Sequence, residues 1–265
     1  MKTPEERRGI PLRAVVPNAV TALALCSGLS GIRFAIAEQW DAAIAMIVIA
    51  AVLDGMDGRI ARMLNGSSRF GAELDSLSDV VAFGVSPAVI LHLWSLQYWP
   101  RFGWVFALAY AVCMALRLAR FNARIDVEDQ PHKSAGFLTG VPAPAGAGLL
   151  LLPILAWLAG DRQWTWLQDY RLVAPWAGFV AFLVISSLAT FSWTSFRLRR
   201  RVRLEAIVII AIVGGALLTA PWETLSVLAL LYLASIPFSI LAYGRVKAQR
   251  GAAPRRPDPP AAPAG

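Results

Sequence analysis

Residues 54–79, DGMDGRIARMLNGSSRFGAELDSLSD, decide how the rest of the chain is read. The stretch joins two apolar runs, 42–64 and 72–94, whose acidic residues lie at the end where they meet. Asp54, Asp57, Gly58, Ala61 and Arg62 fall at i, i+3, i+4, i+7 and i+8, one face of a helix. Asp75 and Asp79 form an i, i+4 pair on the following helix, and Asn65-Gly66-Ser67-Ser68 between them is a turn signal. An antiparallel helix pair brings the four carboxylates together at one end.

Spanning ~30 Å of hydrocarbon takes about 20 mostly apolar residues as a helix. Eight segments qualify: 18–37, 42–64, 72–94, 102–123, 143–159, 174–193, 204–220 and 225–243. Their apolar content is that of helices and not of alternating barrel strands. The whole 265-residue chain agrees, being 57% hydrophobic and only 16% charged, against roughly 25% charged in a soluble domain. Mean hydropathy is +0.56. Disordered, fibrous and disulfide-framework classes are excluded, the last because Cys26 and Cys113 sit alone in apolar runs.

The net charge of +8 is distributed by topology. Lys2, Arg7, Arg8 and Arg13 precede the first segment; Arg59, Arg62 and Arg69 lie between the second and third. Arg117, Arg120, Arg124 and Lys133 lie between the fourth and fifth, and Arg197, Arg199, Arg200, Arg201 and Arg203 between the sixth and seventh. Arg245, Lys247, Arg250, Arg255 and Arg256 follow the eighth, leaving Arg33, Arg101, Arg162 and Arg171 for the other face. Basic loops mark the cytoplasmic side. The expectation is therefore an all-α, polytopic membrane bundle of eight transmembrane helices with both termini cytoplasmic. It needs no nucleic-acid partner to explain the charge, which suits anionic lipid. The amino terminus lacks a signal-cleavage pattern. Residues 1–250 read as one membrane domain and 251–265 as a disordered Pro/Ala-rich tail.

Ionisable groups within membrane segments are costly and mark function. Helix-dipole placement accounts for one or two of these acids, not for four in this phasing. Like charges this close need compensation, and two divalent cations balance four carboxylates. Oxygen ligands without nearby Cys or His suit Mg²⁺, Mn²⁺ or Ca²⁺, not zinc. Two such ions form a clamp for displacement at phosphorus. Gly55 and Gly58 leave room on the helix for a ligand; Gly71 allows close helix contact. His92 and His132 have no partners at metal-ligand spacing, and Trp and Tyr near segment ends (Trp40, Trp94, Tyr98, Trp99, Trp164, Trp166) read as an interfacial belt.

Asp54-x-x-Asp57-Gly58-x-x-Ala61-Arg62, eight residues, then Gly71-x-x-x-Asp75-x-x-x-Asp79 resembles the CDP-alcohol phosphotransferase signature at every specified position. Pro17-Asn18-Ala19-Val20-Thr21, Phe70 to Ala88, Arg117-Leu118-Ala119-Arg120-Phe121-Asn122 and Phe137 to Pro144 resemble the bacterial, membrane-integral branch that takes L-serine as acceptor. The resemblance implies transfer of a phosphatidyl group from CDP-diacylglycerol to the serine hydroxyl with release of CMP, using two Mg²⁺ or Mn²⁺ ions at the cytoplasmic face of the inner membrane. It implies Asp54, Asp57, Asp75 and Asp79 as metal ligands, and Asp79 also as catalytic base. Gly58, Ala61, Arg62, Asn18, Thr21 and Gly71 are the implied CDP-diacylglycerol contacts. It suggests a homodimer.

For the acceptor, Arg117, Arg120, Arg124 and Lys133 are candidates to hold a carboxylate. Arg120 with Asn122 is favoured at the inner end of the fourth segment, with Thr139 and Gly140 lining the pocket. Glycerol 3-phosphate, inositol phosphate and choline remain open as acceptors. A cation- or proton-coupled transporter is the alternative of another class, and it predicts repeated halves.

Overall fold

The computed structural model describes residues 12–64, 66, 68–123, 137–186, 189–191 and 203–251. Apart from one short ribbon, its regular structure is helical. The helices are α1 (Leu12–Ile36), α2 (Trp40–Met63), α3 (Arg69–Asp79), α4 (Ser86–Trp94) and α5 (Gly103–Asn122), then α6 (Ala143–Leu150), α7 (Leu152–Ala159), α8 (Tyr170–Ile185), α9 (Arg203–Thr219) and α10 (Pro221–Gly251). Strands β1 (Phe137–Thr139) and β2 (Ala189–Phe191) pair antiparallel, with Leu138 opposite Thr190.

Among the described residues, four helical stretches are long and apolar enough by themselves to cross a bilayer: Val15–Ile36, Arg69–Trp94, Gly103–Asn122 and Pro221–Ser239. The 24-residue α2 has the length, but Asp41, Asp54, Asp57, Arg59 and Arg62 dilute its apolar character. Helices α8 and α9 are apolar but shorter.

Small residues let α1 approach its neighbours closely. A Cβ on Gly28 would stand 2.7 Å from the Ala82 Cα, and one on Gly31 would stand 3.1 Å from the Ala43 carbonyl oxygen. So α1 packs against both α2 and the α3–α4 span, which places the acid-bearing ends of α2 and α3 side by side. Ser68 caps α3 by accepting the Gly71 N–H at 3.0 Å.

Two prolines reshape helices by one device. Pro87 has no N–H to give the Phe83 carbonyl, the chain from Val80 to Val85 widens into a π-helical stretch, and the Tyr110 hydroxyl donates to Phe83 O at 3.0 Å. The span from Arg69 to Trp94 thus stays helical through Ser86-Pro87. Pro153 likewise leaves the Leu149 carbonyl unserved; the Trp176 indole N–H donates to it at 2.9 Å, and the expected segment 143–159 is divided at Leu151 into α6 and α7.

The expected segment 174–193 overshoots. α8 starts earlier, capped by Asp169, and ends at Ile185. There the Ser186 hydroxyl donates to the Leu183 carbonyl at 2.7 Å and its backbone turns extended (ψ 152°); residues 189–191 then form β2. At the opposite end of α2, Asp41 pairs with Arg162 from the α7–α8 connection.

Candidate active site

The site is assembled by α1, α2 and α3. One carboxylate oxygen from each of Asp54, Asp57 and Asp75 lies within 4.8 Å of the others. Of the four acids predicted to converge, Asp54, Asp57 and Asp75 therefore do so, and Asp79 follows one turn after Asp75 on α3.

Their surroundings differ. Asp57 is buried at 6% exposure and accepts a 2.7 Å hydrogen bond from the Thr21 hydroxyl of α1. Thr21 is itself buried, and its carbonyl accepts from Ser78 Oγ at 3.2 Å, tying α3 to the same turn of α1. One Asp57 oxygen is thus oriented by the protein, leaving lone pairs for a ligand. Asp54, Asp75 and Asp79 are half-buried.

These residues fit a divalent-cation site. The donors are hard carboxylate oxygens, close enough to share ions, in an apolar setting that disfavours uncompensated negative charge. Asp57 also has the fixed outer partner that metal-binding carboxylates commonly carry.

A cavity of about 360 Å³ opens beside the acids. Its walls include Asn18 and Thr21 of α1, Asp57, Gly58, Ala61 and Arg62 of α2, and Gly71 and Asp75 of α3. All six residues expected to contact the donor line it. A Cβ on Gly55 or Gly58 would meet nothing within 4 Å, so these glycines border open space. Gly71 is different: its Cβ would stand 2.8 Å from Asn18 Oδ1, so glycine here permits the α1–α3 approach. Arg62 is exposed, and its Nε–H donates to the Gly58 carbonyl at 3.1 Å, which holds the guanidinium over the cavity side of α2.

The residues favoured for the acceptor divide. Arg120 Nη2 donates to the Ile185 carbonyl at 2.6 Å. Gly140, at φ +83°, lies against the same helix end, where a Cβ would stand 3.2 Å from the Ser186 carbonyl oxygen. Arg120 and Gly140 thus meet at the end of α8. Asn122 turns instead to α3, donating to Ser76 Oγ at 2.7 Å. Thr139 belongs to β1, with its side chain outside the described ones; Arg124, His132 and Lys133 lie outside the described residues.

Clustered acids beside an open cavity, in a bundle of apolar helices, have the arrangement of a membrane-embedded phosphotransferase. The chain matches the CDP-alcohol phosphatidyltransferase family model over residues 14–185, and a second model, CDP-alcohol phosphatidyltransferase 2, over residues 201–237. It belongs to the CDP-alcohol phosphatidyltransferase family. It is 40% identical over 240 residues to the CDP-diacylglycerol–serine O-phosphatidyltransferase of Mycobacterium tuberculosis, covering 89% of this chain and 82% of that one. The Mycobacterium leprae enzyme of the same name is 42% identical over 241 residues (89% and 78% covered), and that of Helicobacter pylori 32% over 217 residues (82% and 87% covered).

Proposed function

We infer that this chain transfers the phosphatidyl group of CDP-diacylglycerol to the hydroxyl of L-serine, yielding phosphatidylserine and CMP. The observation that carries the chemistry is the convergence of Asp54, Asp57 and Asp75 beside the cavity lined by Gly58 and Arg62. The shared name of relatives matching most of the chain supports serine as acceptor.

In this reading Asp54, Asp57, Asp75 and Asp79 hold two Mg²⁺ or Mn²⁺ ions. Such ions, when bound, stabilise charge on the attacking and leaving oxygens at phosphorus. Thr21 keeps Asp57 oriented. Asn18, Gly58, Ala61 and Gly71 enclose the nucleotide, and Arg62 offers its guanidinium to the diphosphate. Asp79 accepts the serine hydroxyl proton as the new O–P bond forms and the bond to the CMP oxygen breaks. The acyl chains remain in lipid.

The distribution of basic residues supports an orientation in which both termini, and the acid-bearing ends of α2 and α3, face the cytoplasm across the inner membrane. Eight crossings satisfy that orientation. A homodimer through membrane helices is compatible with the same topology. The transporter reading is disfavoured, because the chain has no repeat carrying a second set of these acids.

The test is product identification. Purified protein in detergent receives CDP-diacylglycerol and isotope-labelled L-serine with Mn²⁺ or Mg²⁺, and lipids are resolved by mass spectrometry. Labelled phosphatidylserine supports the assignment. Products with glycerol 3-phosphate, inositol phosphate or choline, and none with serine, overturn it.

A further inference from the structure

L-Serine carries its hydroxyl and its carboxylate on adjacent carbons. If the hydroxyl meets Asp79, the group that binds the carboxylate must stand beside Asp79. Helix α5 runs antiparallel to the α3–α4 span, and two contacts fix their register. Asn122 Nδ2 reaches Ser76 Oγ, and Met114 packs on Gly84, where a Cβ would stand 3.2 Å from Met114 Cγ. Stepping from Met114 to Asn122 on α5 therefore matches stepping back from Gly84 to Ser76. By that register Arg117 lies opposite Val81, two residues along from Asp79. The Tyr110 hydroxyl, on the same face of α5, meets the Phe83 carbonyl further along. The charges of Arg117 and Asp79 act on one another, which agrees with this placement.

Arg117 also has a donor to spare. Its Nε is buried and has no hydrogen-bond partner, a state that costs free energy until something accepts from it. A guanidinium offers a planar fork matched to a carboxylate. Arg120 lies nearly a turn further along α5 and already spends Nη2 on Ile185.

Resting on the reading that serine is the acceptor, we propose that Arg117 holds the acceptor carboxylate, side-on through Nε and an Nη, and so sets the preference for an amino acid over a simple alcohol. Arg120 and Asn122 then serve to fix α5 against α8 and α3. The same contact orients the serine so that its hydroxyl points to Asp79 and away from the Tyr110 side.

The experiment compares Arg117→Gln, Arg117→Lys and Arg120→Gln with the unaltered enzyme, varying L-serine and CDP-diacylglycerol separately. Loss of a buried, hydrogen-bonded charge partner predicts a serine KM raised about 100-fold in Arg117→Gln. The KM for CDP-diacylglycerol should stay within about threefold, since the donor is held by α1–α3. Arg117→Lys retains charge without the fork and should recover about tenfold of that loss. Equal changes in both KM values, a fall in kcat alone, or a serine-KM effect confined to Arg120→Gln overturns the proposal. Should Arg117→Gln fail to fold, Arg117→Lys alone decides by the same split. On the unaltered enzyme, L-serine should protect Arg117 from phenylglyoxal, mapped by peptide mass spectrometry; protection of Arg120 and not Arg117 contradicts it. Turnover of the unaltered enzyme with a different acceptor and none with serine would overturn the functional reading itself, a result read before any variant.

Discussion

Thr21 of α1 places its hydroxyl 2.7 Å from Asp57 Oδ2 of α2, both residues being buried. This contact links the amino-terminal helix to the acid cluster. Removing an outer partner of a metal-binding carboxylate typically weakens metal affinity by 10–100-fold. Thr21→Val keeps the shape and deletes the donor, so Mn²⁺ affinity should fall by about that factor, read by electron paramagnetic resonance titration. Thr21→Ser should restore it. Unchanged affinity in the Val variant would separate Asp57 from metal binding.

Two glycines predict opposite phenotypes. Gly58 borders open space, with nothing within 4 Å of where a Cβ would stand, whereas a Cβ on Gly28 would stand 2.7 Å from the Ala82 backbone. Gly58→Ala should leave the melting temperature unchanged and raise the KM for CDP-diacylglycerol by about tenfold, the cost of a methyl in a fitted pocket. Gly28→Ala should cost about 1–3 kcal/mol of stability by overpacking, with KM unaffected. Thermal unfolding in detergent and steady-state kinetics on both variants check the pair.

The π-helical stretch yields a coupled prediction. Tyr110→Phe strands the Phe83 carbonyl that Pro87 cannot serve. Leaving a buried acceptor unpaired costs about 1–3 kcal/mol. Pro87→Ala supplies an N–H to that carbonyl, so the double variant should be more stable than the sum of its parts. Unfolding free energies of the two single variants and the double variant, compared as a cycle, measure the coupling. Strict additivity would mean the tyrosine does not compensate the proline.

Asp75 is one of the three clustered carboxylates. Asp75→Asn retains size and removes a charge. Activity should fall at least about 100-fold, in the range for lost electrostatic stabilisation of a transition state, and excess Mn²⁺ should recover part of it. Full activity at ordinary Mn²⁺ would exclude Asp75 from the ion site.

Much of this was legible in local pattern. Apolar length marked the helices, and i, i+3, i+4 phasing put Asp54 with Asp57 and Asp75 with Asp79, because both signals depend on neighbours a turn apart. Contacts across the fold were not legible. The sequence places Thr21 with the donor site, but its bond to Asp57 depends on how α1 packs on α2. Arg120 and Asn122 stand out in the sequence by lying at a helix end; the hydrogen bonds tie Arg120 to α8 and Asn122 to α3, and the register of α5 places Arg117 opposite Val81, two residues from Asp79. The end of α8 at Ile185 followed from a serine's side chain capturing its own helix, and apolar content around it masked that signal. Pairing of β1 with β2 joins residues far apart in sequence.

The most direct measurement of the central claim is CMP release from CDP-diacylglycerol by purified protein, with and without L-serine, with and without a chelator, and in Asp79→Asn. The account predicts CMP only when serine and Mg²⁺ or Mn²⁺ are both present. It predicts a fall of about 10²–10⁴-fold in the variant, the usual contribution of a positioned base. CMP release that ignores serine, survives chelation, or persists undiminished in Asp79→Asn would contradict it.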